Sequence, residues 1–199
     1  MTLLGALLVT ALAGCDSEAP NAPAALAPPA PEAVSPGQLV HAIEWAFRYQ
    51  SPQVYSDLLA ADFTLACTAT DTAGNAYRNE PWTREDELAF FTALVAPERQ
   101  PPILGMSLRF SDVSVTPDPR PGHATSQSHR RVQAGYVLTY TEQLGHARSV
   151  SGEIAFYAIR GDSVALPIAG PQPDPNLWYV GRWEDLDLDG EGWCSFRGR

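Results

Sequence analysis

Residues 132–158 read VQAGYVLTYTEQLGHARSVSGEIAFYA, two alternating runs on either side of a polar turn. Val132, Ala134, Tyr136, Leu138 and Tyr140 share one side of the first run, and Val150, Gly152, Ile154, Phe156 and Ala158 share one side of the second. A period of two puts each set on a single strand face, with Leu144-Gly145-His146 as the hairpin turn. Met106, Leu108 and Phe110 repeat the pattern upstream, and Trp178, Val180 and Arg182 downstream, joined by turn-rich connections over 116–129 and 161–175. Four successive strands with such links predict an antiparallel sheet.

Ahead of the sheet the period is helical. Leu39, Val40, Ile43, Ala46 and Phe47 recur at helix spacing, with His41, Glu44 and Arg48 opposite. Ser51-Pro52 supplies an N-cap and first-turn proline for a second helix through Val54, Leu58 and Leu59. Phe63, Leu65 and Cys67 alternate as a strand, and a polar loop with Asp71, Gly74 and Asn75 follows. Thr83 and Asp86 form a capping-box signal for a third helix that buries Leu88, Phe91, Leu94 and Val95, ended by Pro97 and Pro101-Pro102. Helices gathered before an antiparallel sheet define the α+β class.

The order helix, helix, strand, helix, then four strands resembles the nuclear transport factor 2-like superfamily, which includes SnoaL-like and ketosteroid-isomerase-like proteins. Asp62-Phe63 at the first strand and Trp178-x-Val180-x-Arg182-Trp183-x-Asp185 at the last carry the likeness, over residues 37–185. It implies a curved sheet wrapping the helices into a cone with an apolar pocket, often dimeric through the outer sheet face. Trp45, Tyr49, Tyr136, Tyr140 and Trp178 are the expected pocket lining. It also implies a Cys67–Cys194 disulfide, because the first hairpin of such a cone neighbours its last strand; the alternative is a buried Cys67 and a free Cys194. Enzymes of the superfamily usually set an Asp, His or Tyr in the cone. Here His41 falls on a polar helix face, His123 and His129 in a connection, and His146 in a turn, so no catalytic residue is assigned. Asp62 at the mouth of the first strand and Glu44 are the carboxylates that would reverse this if buried at the pocket floor facing a Tyr hydroxyl.

The 199 residues carry 13 basic and 23 acidic side chains, a net charge of −10, which disfavours nucleic-acid partners. All the basic residues are Arg, so Schiff-base and phosphate-loop Lys chemistry are excluded. Residues 1–14, MTLLGALLVTALAG, are an apolar run too short to span a bilayer. Leu12-Ala13-Gly14-Cys15 resembles the lipobox of bacterial lipoproteins, which implies signal-peptide cleavage and an acylated (palmitate-type) Cys15 held in a lipid bilayer. The run lacks a preceding Lys or Arg, as expected if the true start lies upstream. Residues 15–36 then form a tether, with six Pro and seven Ala in 17–36 and no apolar period. Residues 37–199 are the single domain and hold every aromatic side chain. The expected location is the bacterial cell envelope, on its periplasmic or extracellular side.

Asp185-Leu186-Asp187-Leu188-Asp189-Gly190 copies the start of a calcium loop, but Phe196 stands at the twelfth position where a bidentate Glu belongs. The expectation is a solvated acidic strand end binding calcium weakly or not at all. Arg120, His123, His129, Arg130 and Arg131 are read as a solvated hairpin end. No cofactor is expected. These readings favour a tethered, non-catalytic domain whose pocket takes an apolar small molecule or protein partner, with a homodimer as a further expectation. The alternative is an isomerase-, cyclase- or hydratase-type enzyme using a pocket carboxylate or Tyr.

Overall fold

The computed structural model describes residues 27–67, 82–143, 145–164, 172–186 and 192–197. Three helices form where capping chemistry requires them. In α1 (Pro36–Arg48) the Ser35 hydroxyl accepts from the Gln38 amide at 3.2 Å, and in α2 (Pro52–Leu58) the Ser51 hydroxyl accepts from the Val54 amide at 3.4 Å. α3 (Arg84–Val95) opens with the reciprocal box, the Asp86 amide bonding the Thr83 hydroxyl at 3.3 Å and the Thr83 amide bonding the Asp86 carboxylate at 2.9 Å. The packed region begins before residue 37, since Ala33 is buried and its carbonyl accepts from the Trp178 amide at 2.8 Å.

The strands are β1 (Leu59–Ala66), β2 (Trp82–Thr83), β3 (Ile103–Pro117), β4 (His129–Glu142), β5 (Ala147–Arg160) and β6 (Trp178–Asp185). They form one curved, open sheet in the order β2-β1-β6-β5-β4-β3. The antiparallel run from β3 to β6 is as the alternation predicts. β1 adds to its far edge parallel to β6, and the short β2 pairs antiparallel with β1. One sheet face and the three helices enclose the core, so the architecture is an α+β cone.

Two local departures matter. β3 runs on to Pro117 rather than ending near Phe110, because as an exposed edge strand it needs no apolar alternation past the bulge at Ser111–Ser114. In β6, Tyr157 pairs with Arg182 but Ala158 pairs with Val180, so Gly181 is an extra, bulged residue. The bulge changes the phase of the strand. Arg182 turns outward to Glu184 at 2.8 Å, while Trp183 and Asp185 turn inward and are buried. A β-carbon at Gly181 would lie 2.3 Å from Ile159 Cδ1, so a larger residue at the bulge would displace the end of the Ile159 side chain. This corrects the expected solvated strand end: Asp185 is 1% exposed and its carboxylate accepts the Cys194 amide at 2.8 Å.

Candidate functional site

The interior of the cone is occupied by the chain's own C-terminal segment. The short helix α4 (Trp193–Arg197) is anchored by a Cys67–Cys194 disulfide, with Cα atoms 6.0 Å apart and a sequence separation of 127, and by the Asp185 bond to its backbone. The anchor drives Trp193 fully inside. Its indole stacks on Trp183 at 4.6 Å, meets Tyr136 edge-on at 5.4 Å and lies 5.6 Å from Phe47. Phe156 continues the layer, edge-on to Trp183 at 4.5 Å. Aromatic pairs at such separations each add to the burial of their surface, so what the resemblance implies as a pocket is here packed core.

The five expected lining residues are therefore not gathered in one cavity. Tyr136 is buried beneath Trp193. Trp178 is buried at the start of β6, bonded to the Ala33 carbonyl. Trp45 and Tyr49, with rings 4.7 Å apart, line a shallow groove of about 250 Å³ with Pro28, Pro31 and Arg109. Tyr140 lines a different groove, of about 720 Å³, at the rim of the cone. There α3 contributes Phe90, Ala93 and Leu94, β5 contributes Val150, and α4 contributes Phe196, whose ring lies 5.7 Å from Tyr140 and 5.6 Å from Phe90. Its polar side holds Arg99, Glu142 and Arg148. Glu142 is buried where β4 turns, with Arg99 Nη2 at 3.5 Å and Arg148 Nε at 3.4 Å from its two oxygens. Of this set the alternating runs single out Tyr140 and Val150, whereas Arg99, Glu142, Arg148 and Phe196 carry no such signal.

A buried carboxylate facing a Tyr hydroxyl is present, but it is Glu87. The Tyr55 hydroxyl donates to Glu87 at 2.6 Å, and both residues are fully buried. Glu87 replaces Leu88 as the inward residue of α3's first turns; Leu88 is half-buried. The carboxylate sits near the positive end of the helix dipole, which favours it there. Tyr55 packs against Phe47 at 5.4 Å and Phe91 at 4.5 Å, so the pair lies behind an aromatic layer and lines neither groove. Asp62 is exposed on β1. Glu44, expected on a polar face, instead accepts the Phe110 amide at 2.8 Å and pins α1 to β3; its other oxygen meets His41 Nδ1 at 3.2 Å.

His129 is the first residue of β4, not part of the connection, and its ring packs on His123 at 4.1 Å. The basic cluster also contains a buried acid: Asp118 pairs with Arg120 at 2.6 Å, and the Arg120 guanidinium lies 4.2 Å from the Tyr157 ring. Burial alone would raise the Asp118 pKa, but the Arg120 bonds and charge outweigh it and hold the group below its ordinary value. Burial, then the neighbouring His123 charge, lower the pKa of His129. Asp187, Asp189 and Cys15 lie outside the described residues. Among the described residues no helix is long and apolar enough to cross a membrane, and no group of three or more His, Cys, Asp or Glu is arranged to hold a metal ion.

No protein-family model matches the chain, and no curated protein does. Solved structures do share its fold. One from Novosphingobium aromaticivorans, provisionally named a scytalone dehydratase, superposes with a TM-score of 0.53 at 10% identity, covering 78% of this chain and 88% of that one. Another from the same species, provisionally named an aromatic ring hydroxylase, gives 0.51 at 16% identity over 76% and 86%. The β subunit of benzoate 1,2-dioxygenase from Burkholderia mallei gives 0.50 at 10% identity over 75% and 85%. The chain thus shares the α+β cone fold of these structures. Different chemistries are named on it, so the fold assigns none of them to this chain.

Proposed function

We propose that this protein is a lipid-tethered binding domain of the bacterial cell envelope, acylated at Cys15 and taking an apolar or amphipathic ligand in the rim groove between α3, β4, β5 and α4. The observation that carries the reading is the filled cone. Trp193 occupies the space a substrate would need, while the groove beside Tyr140 and Phe196 stays open with an apolar wall. Concave, largely apolar surfaces with a few convergent polar groups are where small ligands lodge. The tether supports delivery near a membrane, since the Pro- and Ala-rich sequence ahead of the packed Ala33 has no apolar period.

The test uses 1-aminoanthracene, a neutral fluorescent probe, on the full chain carrying Cys15→Ser. Saturable binding that Ala93→Trp abolishes supports the groove, because Ala93 is exposed on α3 and a large ring there fills the site without entering the core. Binding unaffected by Ala93→Trp contradicts it. Incorporation of labelled palmitate into the wild type but not into Cys15→Ser tests the anchor. The second reading is an isomerase- or hydratase-type enzyme, favoured by the buried Glu87–Tyr55 pair. Its test is turnover of a small ketone or enol that is lost in Glu87→Gln.

A further inference from the structure

We infer that the rim groove selects amphipathic monocarboxylates, with Arg148, assisted by Arg99, holding the carboxylate and the aromatic wall holding the apolar body. This rests on the groove reading above and names its ligand class. The groove's polar side is unequal in charge: two guanidiniums face one carboxylate, that of Glu142. One positive charge is left uncompensated among the described residues. Both contacts are long, at 3.5 and 3.4 Å, and Arg148 engages Glu142 through Nε alone. A guanidinium has five N–H donors in a planar fork that fits a carboxylate bidentately, so Arg148 keeps donors for a second acceptor.

The two arginines play different parts. Arg99 is 26% exposed and also donates to the Pro101 carbonyl, which fixes it. Arg148 is 60% exposed and free to swing onto a ligand. Glu142, at 9% exposure, holds both without the reach to satisfy them. A single added anion balances the set, which favours a monocarboxylate over a dianion. Opposite the arginines lie Phe90, Leu94, Tyr140, Val150 and Phe196, a wall suited to an alkyl chain or ring. The chain's net charge of −10 repels anions at long range, so selectivity has to arise at this contact and not from steering.

The experiment is titration calorimetry of the full chain carrying Cys15→Ser with sodium decanoate and with decan-1-ol, which share an alkyl body. Decanoate is expected to bind about tenfold tighter, the worth of one partly exposed charge-assisted contact. Arg148→Met keeps the apolar stem and removes the charge, so it is expected to weaken decanoate binding and erase the difference between the two probes. Glu142→Gln removes the competing carboxylate and is expected to raise decanoate affinity. Equal binding of the two probes to the unsubstituted chain overturns the carboxylate inference and leaves the apolar groove standing. Failure of both probes, together with failure of 1-aminoanthracene, overturns the groove itself.

Discussion

Replacing Trp193 with Ala removes the ring that fills the cone. The indole is fully buried, against Trp183, Tyr136 and Phe47, and the disulfide at the adjacent Cys194 keeps α4 from withdrawing to close the gap. Large-to-small changes at such a site cost about 3–5 kcal/mol, the lost transfer energy plus an unrelaxed cavity. For a domain of this size each kcal/mol lowers Tm by about 2–4 °C, so a fall of about 6–20 °C is expected. Thermal unfolding followed by near-ultraviolet circular dichroism measures it, and the stacked Trp183–Trp193 pair should lose its contribution to the native spectrum. Added indole should then recover part of the lost Tm by occupying the cavity. A change in Tm below about 3 °C would refute the reasoning, because it would mean that α4 is not packed in the cone.

The Cys67→Ser, Cys194→Ser double variant should lose up to about 5 kcal/mol of stability in urea unfolding, from the loop the bridge closes over 127 residues; a loss below about 1 kcal/mol speaks against a structural bridge. Tyr55→Phe should cost about 2 kcal/mol by the same assay, since it withdraws a donor from the buried Glu87 carboxylate. The lowered pKa of His129 means that the unfolded chain takes up the proton first, so stability should decline as pH falls below the ordinary value of 6.5, and His129→Gln should flatten that decline. The contribution of Asp118 has the other window: its folded pKa is also lowered, so its stabilisation is full above 3.8 and is lost only as pH falls through the folded value.

Local chemistry was legible wherever a few adjacent residues decide the outcome. Ser35, Ser51 and Thr83 cap the helices, and the alternation through Val132–Tyr140 and Val150–Ala158 sets the central hairpin. The Cys67–Cys194 pairing followed from the two cysteines left once Cys15 is set aside for acylation, with the resemblance in support. Phase and long-range pairing were not legible. Reading Trp178, Val180 and Arg182 as one face fails at Gly181, where the bulge answers the close approach of Ile159, a residue 22 positions earlier in the chain. The resemblance implies that the first hairpin neighbours the last strand but not that β1 runs parallel to β6, and the Glu87–Tyr55 bond joins residues with no sequence pattern in common. Trp193 was missed because a helix of five residues shows no period. A signal was nevertheless there: an aromatic, the bridged cysteine and Phe196 in one short run mark a segment that the disulfide draws into the core. The Arg99, Glu142 and Arg148 set comes from three separate places in the chain, so only the fold brings it together.

The central claim, that ligands bind at the rim and not inside the cone, is tested most directly by methyl-resolved NMR of the full chain carrying Cys15→Ser, titrated with 1-aminoanthracene. Leu94 and Val150 line the groove, whereas Leu138 and Ile154 are fully buried in the core. Ring-current shifts at the Leu94 and Val150 methyls, with Leu138 and Ile154 unmoved, are the predicted result. Shifts at Leu138 and Ile154 would contradict the account, because they would place the probe in the space that Trp193 holds.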